Sequence, residues 1–317
     1  MKNRQSKIQL LVSVLTVIIS ILTYSNPTQG AVTGAYLYNL SNFTGIVPYY
    51  WTRVSVDRER NETYVLFQNL VRVFNEFGME VYRFGDDLDL GHILDVAVDK
   101  AGDILLLSYR DPSNYSVHRC NYRGEPISKI EIKNLPPEFS NFFPGRMIFR
   151  NGTLYFASLM QLIIITTDLN GNFKKGYDIF SLIELEEKDR GNVEIIGFSV
   201  DKNGNILFTI PVLFRVYILS PEGKVTSFGK PGGAPGRFNI VGGIVADSKG
   251  NYLIVDKLKS AVMVFDKNYN FLNQFGYRGF KPGNLIAPDD IAIDSQDRIY
   301  VTQGRKRGVS VFMMTYN

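Results

Sequence analysis

The chain has 317 residues, of which 45% are hydrophobic and 13% aromatic, so it can bury a sizeable globular core. Its 35 Lys plus Arg exceed its 31 Asp plus Glu, but Lys2, Arg4 and Lys7 lie in the first 30 residues, where no acidic residue occurs. The remaining 32 basic and 31 acidic residues nearly cancel, which excludes the strong positive field that nucleic-acid binding requires.

The first predicted element is an export signal. The basic residues are followed by an almost wholly apolar run, Ile8 to Leu22, and by a Ser-Asn-Pro break at 25–27. A run of about 15 residues is shorter than the roughly 20 that a membrane-spanning helix needs, which favours a cleaved signal over an uncleaved anchor. We therefore predict a signal peptide at 1–30, a mature domain at 31–317 in the periplasm or outside the cell, and no other contact with the membrane.

The rest of the chain is an internal repeat of short strands. A strand with a small residue at its centre, usually ending in Asp, recurs at intervals of roughly 42 to 51 residues, the period of a four-stranded propeller blade. Tight turns with Gly or Asn follow most copies and predict hairpins. The six copies are Val54-Ser55-Val56-Asp57, Val96-Ala97-Val98-Asp99, Met147-Ile148-Phe149, Phe198-Ser199-Val200-Asp201, Ile244-Val245-Ala246-Asp247 and Ile291-Ala292-Ile293-Asp294.

The two ends of the chain complement each other. The sixth unit contains only three predicted strands, the last at Val309 to Phe312, whereas residues 33 to 47 precede the first unit without belonging to it. We predict that this N-terminal segment supplies the missing outer strand and closes the ring through interstrand hydrogen bonds. The predicted fold is an all-β, six-bladed β-propeller with four-stranded blades.

The clearest copies of the repeat lie in units five and six, within a block of residues 232–302 that covers about a quarter of the chain. They are Gly232 to Phe238, Gly243 to Asp256, and Pro288 to Ser295 followed by Ile299 to Thr302. These two units show a resemblance to the NHL-repeat family. It implies a six-bladed propeller used for binding, and some relatives are lyases or lactonases. The family's Asp at the end of the second strand is present as Asp256, but the other units hold Ser108, Ser158, Ile210 and Gln303 there, and the usual Asn-x-Arg before the third strand is absent.

Candidate ligand-binding residues lie where the first strands begin, because those positions surround one mouth of a propeller channel. These positions hold charges of both signs and several glycines. We add Asp256 and two arginines of a loop on the same face, because a basic loop suits an acidic partner. The candidate set is Arg53, Asp95, Arg146, Asp256, Asp289, Asp290, Arg305 and Arg307, with Gly145, Gly197 and Gly243 at the remaining strand starts.

Two interpretations of the charged mouth remain open. Converging carboxylates could hold a divalent cation or a water network, so a metal is left undetermined. Alternatively, Asp95 and Asp290 accept hydrogen bonds from strand-end amides and pair with Arg53 and Arg146.

Other reactive side chains indicate no catalytic centre. The chain has two histidines, too few for a His-ligated zinc site; His118 is expected between blades, and His92 could overhang the mouth. Cys120 shares a strand position with Phe74 and is expected to be buried and unreactive. The run of acidic residues at 86–89 lacks the spacing of a calcium loop.

The predicted function is an exported binding or scaffold protein that holds a protein or polysaccharide partner of the cell envelope on its channel-mouth face. It is expected to act as a monomer without a cofactor. The alternative is a metal-dependent lyase or lactonase with Asp95, Asp289 and Asp290 at the channel mouth.

Overall fold

The structure is a computed structural model that describes residues 32–48, 52–86, 89–111 and 114–316. The predicted signal segment lies outside these residues, as do two positions of the acidic run at 86–89. Among the described residues, no helix combines the length and apolar character needed to cross a membrane.

Six four-stranded antiparallel sheets form the blades, which confirms the predicted fold class. Blade 1 contains β4 (Arg53–Asp57), β5 (Glu62–Phe67), β6 (Leu70–Phe74) and β7 (Glu80–Phe84). Blade 2 contains β8 (His92–Val98), β9 (Ile104–Asp111), β10 (Asn114–Cys120) and β11 (Pro126–Ile130). Blade 3 contains β12 (Arg146–Arg150), β13 (Thr153–Ser158), β14 (Ile163–Asp168) and β15 (Phe173–Asp178).

Blade 4 contains β16 (Phe198–Val200), β17 (Ile206–Ile210), β18 (Arg215–Leu219) and β19 (Val225–Phe228). Blade 5 contains β20 (Val241–Ala246), β21 (Tyr252–Asp256), β22 (Ala261–Phe265) and β23 (Phe271–Phe275). Blade 6 contains β24 (Pro288–Ile293), β25 (Arg298–Gln303), β26 (Val309–Tyr316) and, from the other end of the chain, β1 (Val32–Asn39).

The remaining elements lie in the connections. They are a small hairpin of β2 (Ser41–Asn42) and β3 (Gly45–Ile46), helix α1 (Ile179–Leu182), and 3-10 turns at Pro137–Phe139, Glu187–Asn192 and Pro211–Leu213. Helix α1 and the second 3-10 turn fall in the long connection between blades 3 and 4, where side-chain caps and backbone bonds replace sheet pairing.

The ring closes as predicted, by pairing of the two terminal strands. Strand β1 runs antiparallel to β26, with Tyr36 opposite Phe312 and Val32 opposite Tyr316. The rings of Tyr36 and Phe312 also meet edge to face at 5.8 Å, which adds a side-chain contact to the hydrogen bonds. The last blade is therefore assembled from both ends of the chain, and β1 covers the edge that β26 would otherwise expose.

The Asp that ends most first strands has a local role in the hairpin. One carboxylate oxygen of Asp247 accepts the amides of Lys249 and Asn251 at 2.9 and 2.8 Å, which satisfies backbone donors within the turn. The third blade needs no such group, because Asn151 and Gly152, both at positive φ, form a two-residue turn between Arg150 and Thr153. The hairpin at Arg150 thus leaves that side chain available for another role.

The hydrophobic core consists of layers between neighbouring blades. The layer between blades 1 and 2, for example, packs Tyr64, Val71 and Phe84 against Ile104 and Leu106. Equivalent clusters lie at the other five blade junctions, including the one between blades 6 and 1. Each blade buries both faces in this way, so a blade without its neighbours would expose two apolar faces.

Deleting Val32–Asn39 should leave β26 as an exposed edge with unpaired backbone groups. We expect the midpoint of urea unfolding to fall and higher oligomers to form, as measured by circular dichroism and size-exclusion chromatography. The matched control is Phe43→Ser, since Phe43 is 99% exposed beside the same segment. A deletion variant that unfolds at the wild-type urea concentration would contradict closure by this strand.

Candidate functional site

The innermost strands of the six blades, β4, β8, β12, β16, β20 and β24, surround a central channel. We call the side on which these strands begin the strand-start face, and the side carrying the turns after them the hairpin face. Because strands alternate in direction, the loops between second and third strands also lie on the strand-start face, together with the connections between blades.

Arg146 reaches across the channel at the strand-start end. Its Nε donates to Asp95 Oδ2 of the adjacent blade at 2.9 Å, and its Nη2 donates to Asp290 Oδ2 at 3.3 Å. Asp290 belongs to blade 6, directly opposite blade 3 in the ring. All three side chains are at most 6% exposed, so this salt bridge is a buried contact across the axis.

Backbone amides complete the coordination of both carboxylates. Asp95 accepts the amides of Met147 and Val96 at 2.9 and 3.0 Å. Asp290 accepts those of Ile291 and Val54 at 3.1 and 3.4 Å. The charged residues at the predicted mouth thus join four first strands, those of blades 1, 2, 3 and 6, to one another.

The charge balance of this cluster favours a protonated Arg146. Burial lowers the pKa of Arg146, but the attraction of Asp290 and Asp95 outweighs burial and raises the pKa above its ordinary value. Burial also lowers the pKa of Arg53, and the positive charge of Arg146 lowers it further, against the attraction of the carboxylates. Asp289 forms an ion pair with Lys257 at the edge of the cluster.

The glycines at the remaining strand starts allow close backbone contact. A Cβ on Gly197 would lie 2.5 Å from the carbonyl oxygen of Gly242, and one on Gly243 would lie 2.8 Å from the amide nitrogen of Ile291. Thr209 Oγ1 joins the same strands by accepting the Gly197 amide at 2.8 Å and donating to the Gly242 carbonyl at 2.7 Å. Blades 4, 5 and 6 therefore meet without side chains between their first strands.

The carboxylates at the mouth do not fit a divalent cation. The guanidinium of Arg146 occupies the position between Asp95 and Asp290 that a shared cation would need, and backbone amides bind the same carboxylates. Across the described part of the chain, no three His, Cys, Asp or Glu side chains are grouped as a metal site requires. The arrangement instead matches the alternative in which Asp95 and Asp290 accept strand-end amides and pair with arginine. It differs from that alternative in that Arg146 alone, and not Arg53, bridges the two carboxylates.

Asp256 lies apart from this cluster and is fully buried. It accepts the amides of Asn239 at 2.7 Å and Lys259 at 3.0 Å, so it fixes two loops of blade 5 on the strand-start face. In blade 6 the equivalent Gln303 has a similar role, because it accepts the Ile286 amide at 2.9 Å. The residue at the end of the second strand thus differs between blades 5 and 6, but in both it binds a backbone amide of a neighbouring loop.

Arg305 and Arg307 lie in the loop between β25 and β26 on the strand-start face. Arg305 is exposed, whereas Arg307 is partly buried with its guanidinium 5.5 Å from the ring centre of Phe280. The loop is fixed to its neighbour by the Gly304 amide, which donates to the Ile286 carbonyl at 3.0 Å. These arginines are therefore separate from the buried cluster, and Arg305 is open to solvent.

The remaining reactive side chains lie in packing positions. His92 is exposed and contacts Tyr109, with ring centres 5.2 Å apart and ring planes tilted by 34°. His118 is half-buried, and burial lowers its pKa. Cys120 is fully buried between blades 1 and 2, and burial raises its thiol pKa to about 12.

Sequence reasoning missed a cavity of about 630 Å³ in the channel. Asp95 and Arg146 lie at its inner end, and Arg58, Lys100 and Arg150 line its outer end at the hairpin face. The available signal was Arg150 itself, which stands where the other five units have Asp.

Comparison with known proteins supports the fold. Residues 237–316 match the family model DUF5128, described as a 6-bladed beta-propeller. No curated protein matches the chain. A structural genomics protein of unknown function from Bacteroides thetaiotaomicron has a TM-score of 0.63 at 15% identity, over 90% of this chain and 76% of that one.

Two further solved structures have names that suggest different activities. Virginiamycin B lyase from Staphylococcus aureus has a TM-score of 0.57 at 11% identity, over 90% of this chain and 100% of its own. An auxiliary nutrient binding protein from Bacteroides ovatus has a TM-score of 0.55 at 12% identity, over 90% of this chain and 78% of that one. At such identities the likeness shows a shared fold, and membership of the NHL-repeat family stays a prediction.

Replacing Arg146 with Met should leave Asp95 and Asp290 buried without their cationic partner. We expect the free energy of unfolding, measured by urea titration, to fall by about 3 to 5 kcal/mol. The triple variant Arg146→Met, Asp95→Asn, Asp290→Asn removes all three charges and should recover much of this loss. A loss of less than about 1 kcal/mol in the single variant would rule out a strong network.

The Cys120 thiol should not react in the folded protein, because it is buried and its pKa of about 12 leaves almost no thiolate at pH 8. We expect no colour with Ellman's reagent under native conditions and one equivalent of thiol after unfolding in guanidinium chloride. Rapid reaction of the native protein would show that blades 1 and 2 separate readily.

Proposed function

We propose that this chain is an exported binding protein that holds an acidic protein partner on the strand-start face of blades 5 and 6. Export rests on the basic and apolar N-terminal segment, which favours the periplasm or the cell exterior. The partner is inferred from the chemistry of the loops on that face.

The observation that carries the proposal is the segregation of charge in a nearly neutral chain. The four loops of blades 5 and 6 on this face, residues 229–240, 257–260, 276–287 and 304–308, contain nine Lys or Arg and no Asp or Glu. Six of the nine are exposed, among them Lys281 and Arg305. Such a surface attracts an acidic partner and accelerates its association.

Apolar side chains lie among these cations. Leu258, Tyr277 and Phe280 are 61, 64 and 67% exposed. Large exposed aromatic residues next to arginine are typical of the central contacts of protein interfaces. A protein with acidic residues around an apolar patch matches this surface better than a uniformly charged polysaccharide does.

Contacts between the loops hold this surface in one conformation. Lys259 Nζ donates to the carbonyl of Ala234 at 2.8 Å, and Asp256 binds amides of both loops. The surface therefore needs little ordering when a partner binds, which reduces the entropic cost of association.

Charge reversal provides the test. The variant Arg305→Glu, Lys306→Glu should lower crosslinked capture of partners from an envelope fraction by at least about tenfold, because like charges would face an acidic surface. Capture by the wild type should also weaken at high salt. Mass spectrometry of the captured material, with glycan staining, distinguishes a protein from a polysaccharide.

The matched control is Lys224→Glu, Lys267→Glu, which makes the same change in net charge at exposed turns on the hairpin face. This control should capture partners as the wild type does. Equal losses in both variants would indicate an effect of net charge alone, and no loss in either would overturn the proposed face.

A further inference from the structure

The channel cavity has properties of a ligand site that is independent of the strand-start face. Its volume of about 630 Å³ lies within the range of small-molecule pockets. The lining follows β12 from Arg146 to Arg150, which at about 3.3 Å per residue corresponds to a depth of roughly 13 Å. The contact between Arg146, Asp95 and Asp290 crosses the axis at the inner end, and the hairpin face is the open end.

The outer end of the cavity carries two arginines from blades on either side of blade 2. Arg58 and Arg150 line the cavity, and in the described residues neither side chain donates a hydrogen bond or forms an ion pair within 4 Å. Burial lowers the pKa of Arg58 to about 10, and the nearby positive charge of Arg150 lowers it further. Arg58 nevertheless remains protonated at neutral pH.

The acidic groups near these arginines are bound elsewhere. Asp294 accepts the Arg298 Nε at 2.6 Å, and Asp297 accepts the Ser248 hydroxyl at 2.6 Å. Asp57 and Asp99, which also line the cavity, accept amides of their own turns. Asp201, whose charge attracts Arg150, also accepts an amide of its own turn. These carboxylates keep their negative charge, but in the described residues none lies within ion-pair distance of Arg58 or Arg150, so both guanidinium groups retain free donors for an anion.

Between the two ends the lining is largely apolar. Val56, Val98, Ile148 and Phe149 lie just inside the rim and keep part of their surface accessible, although each also packs against a core layer. At the inner end Arg146 Nη1 is buried and has no hydrogen-bond partner among the described residues, so it can donate to a neutral oxygen.

We propose that this cavity binds a small organic anion, with its acidic group between Arg58 and Arg150 and its apolar body in the channel. A carboxylate, sulfonate or phosphate accepts charge-assisted hydrogen bonds from arginine, and the apolar body displaces water from the partly exposed valine, isoleucine and phenylalanine side chains. Arg150 occurs where other blades have a turn-forming Asp, which places a cation at the channel without disturbing the hairpin.

The probe for the test is 8-anilinonaphthalene-1-sulfonate, an aromatic anion short enough for the channel. We expect saturable fluorescence enhancement with one site per chain in the wild type. The variant Arg58→Met, Arg150→Met should bind this probe at least about tenfold more weakly, because it lacks both charged donors. The uncharged analogue N-phenyl-1-naphthylamine should bind both proteins equally.

Three further variants distinguish the channel from other sites. Lys202→Met removes an exposed cation of the same face that does not line the cavity, and Arg305→Glu, Lys306→Glu alters the strand-start face; neither should change affinity. Ser199→Trp places a large ring in the channel and should abolish binding of both probes.

Thermal unfolding separates a binding role from a structural one. Since burial without an ion pair disfavours the charged form of Arg58, Arg58→Met should unfold at or above the wild-type temperature while binding the anion more weakly. Absence of saturable binding by the wild type, equal affinity in the double arginine variant, or loss of binding in the Lys202 control would overturn the proposal.

Discussion

The antiparallel pairing of Val32–Asn39 with Val309–Tyr316 is the contact on which the rest of the structure depends. Each core layer lies between two blades, so an open ring would expose one apolar face at each end. Joining the chain termini inside one sheet covers both faces and pairs the outer edge of β26 with β1. A channel with two distinct ends exists only because the ring is closed.

The two ends of that channel differ because charge is distributed differently at them. At the strand-start end, Arg146 is bound by two buried carboxylates, and backbone amides bind the same carboxylates. Such a network joins blades that are distant in sequence, and apart from Arg146 Nη1 its polar atoms have little capacity left for a ligand. At the hairpin end, Arg58 and Arg150 have no comparable acidic partner among the described residues, so the capacity to bind an anion remains there.

The strand-start face separates structural from surface functions in a similar way. Asp256 and Gln303 bind loop amides and are buried, while the cations and aromatic residues of the same loops point outward. The buried groups fix the loops, and the exposed groups present a basic and apolar surface. A partner on this face and a small anion in the channel would thus contact different residues.

The sequence by itself determined the repeat, the blade number and the closure, because strand periodicity, turn residues such as Asn151-Gly152 and the incomplete sixth unit are local features. The sequence also predicted that one end of the channel holds Arg53, Asp95, Arg146, Asp289 and Asp290. Only the tertiary structure decided that Arg146 bridges opposite blades and that the cavity opens on the other face. Burial and pairing of a charge depend on distances across the ring, between residues as far apart as 146 and 290, and strand periodicity carries no such information.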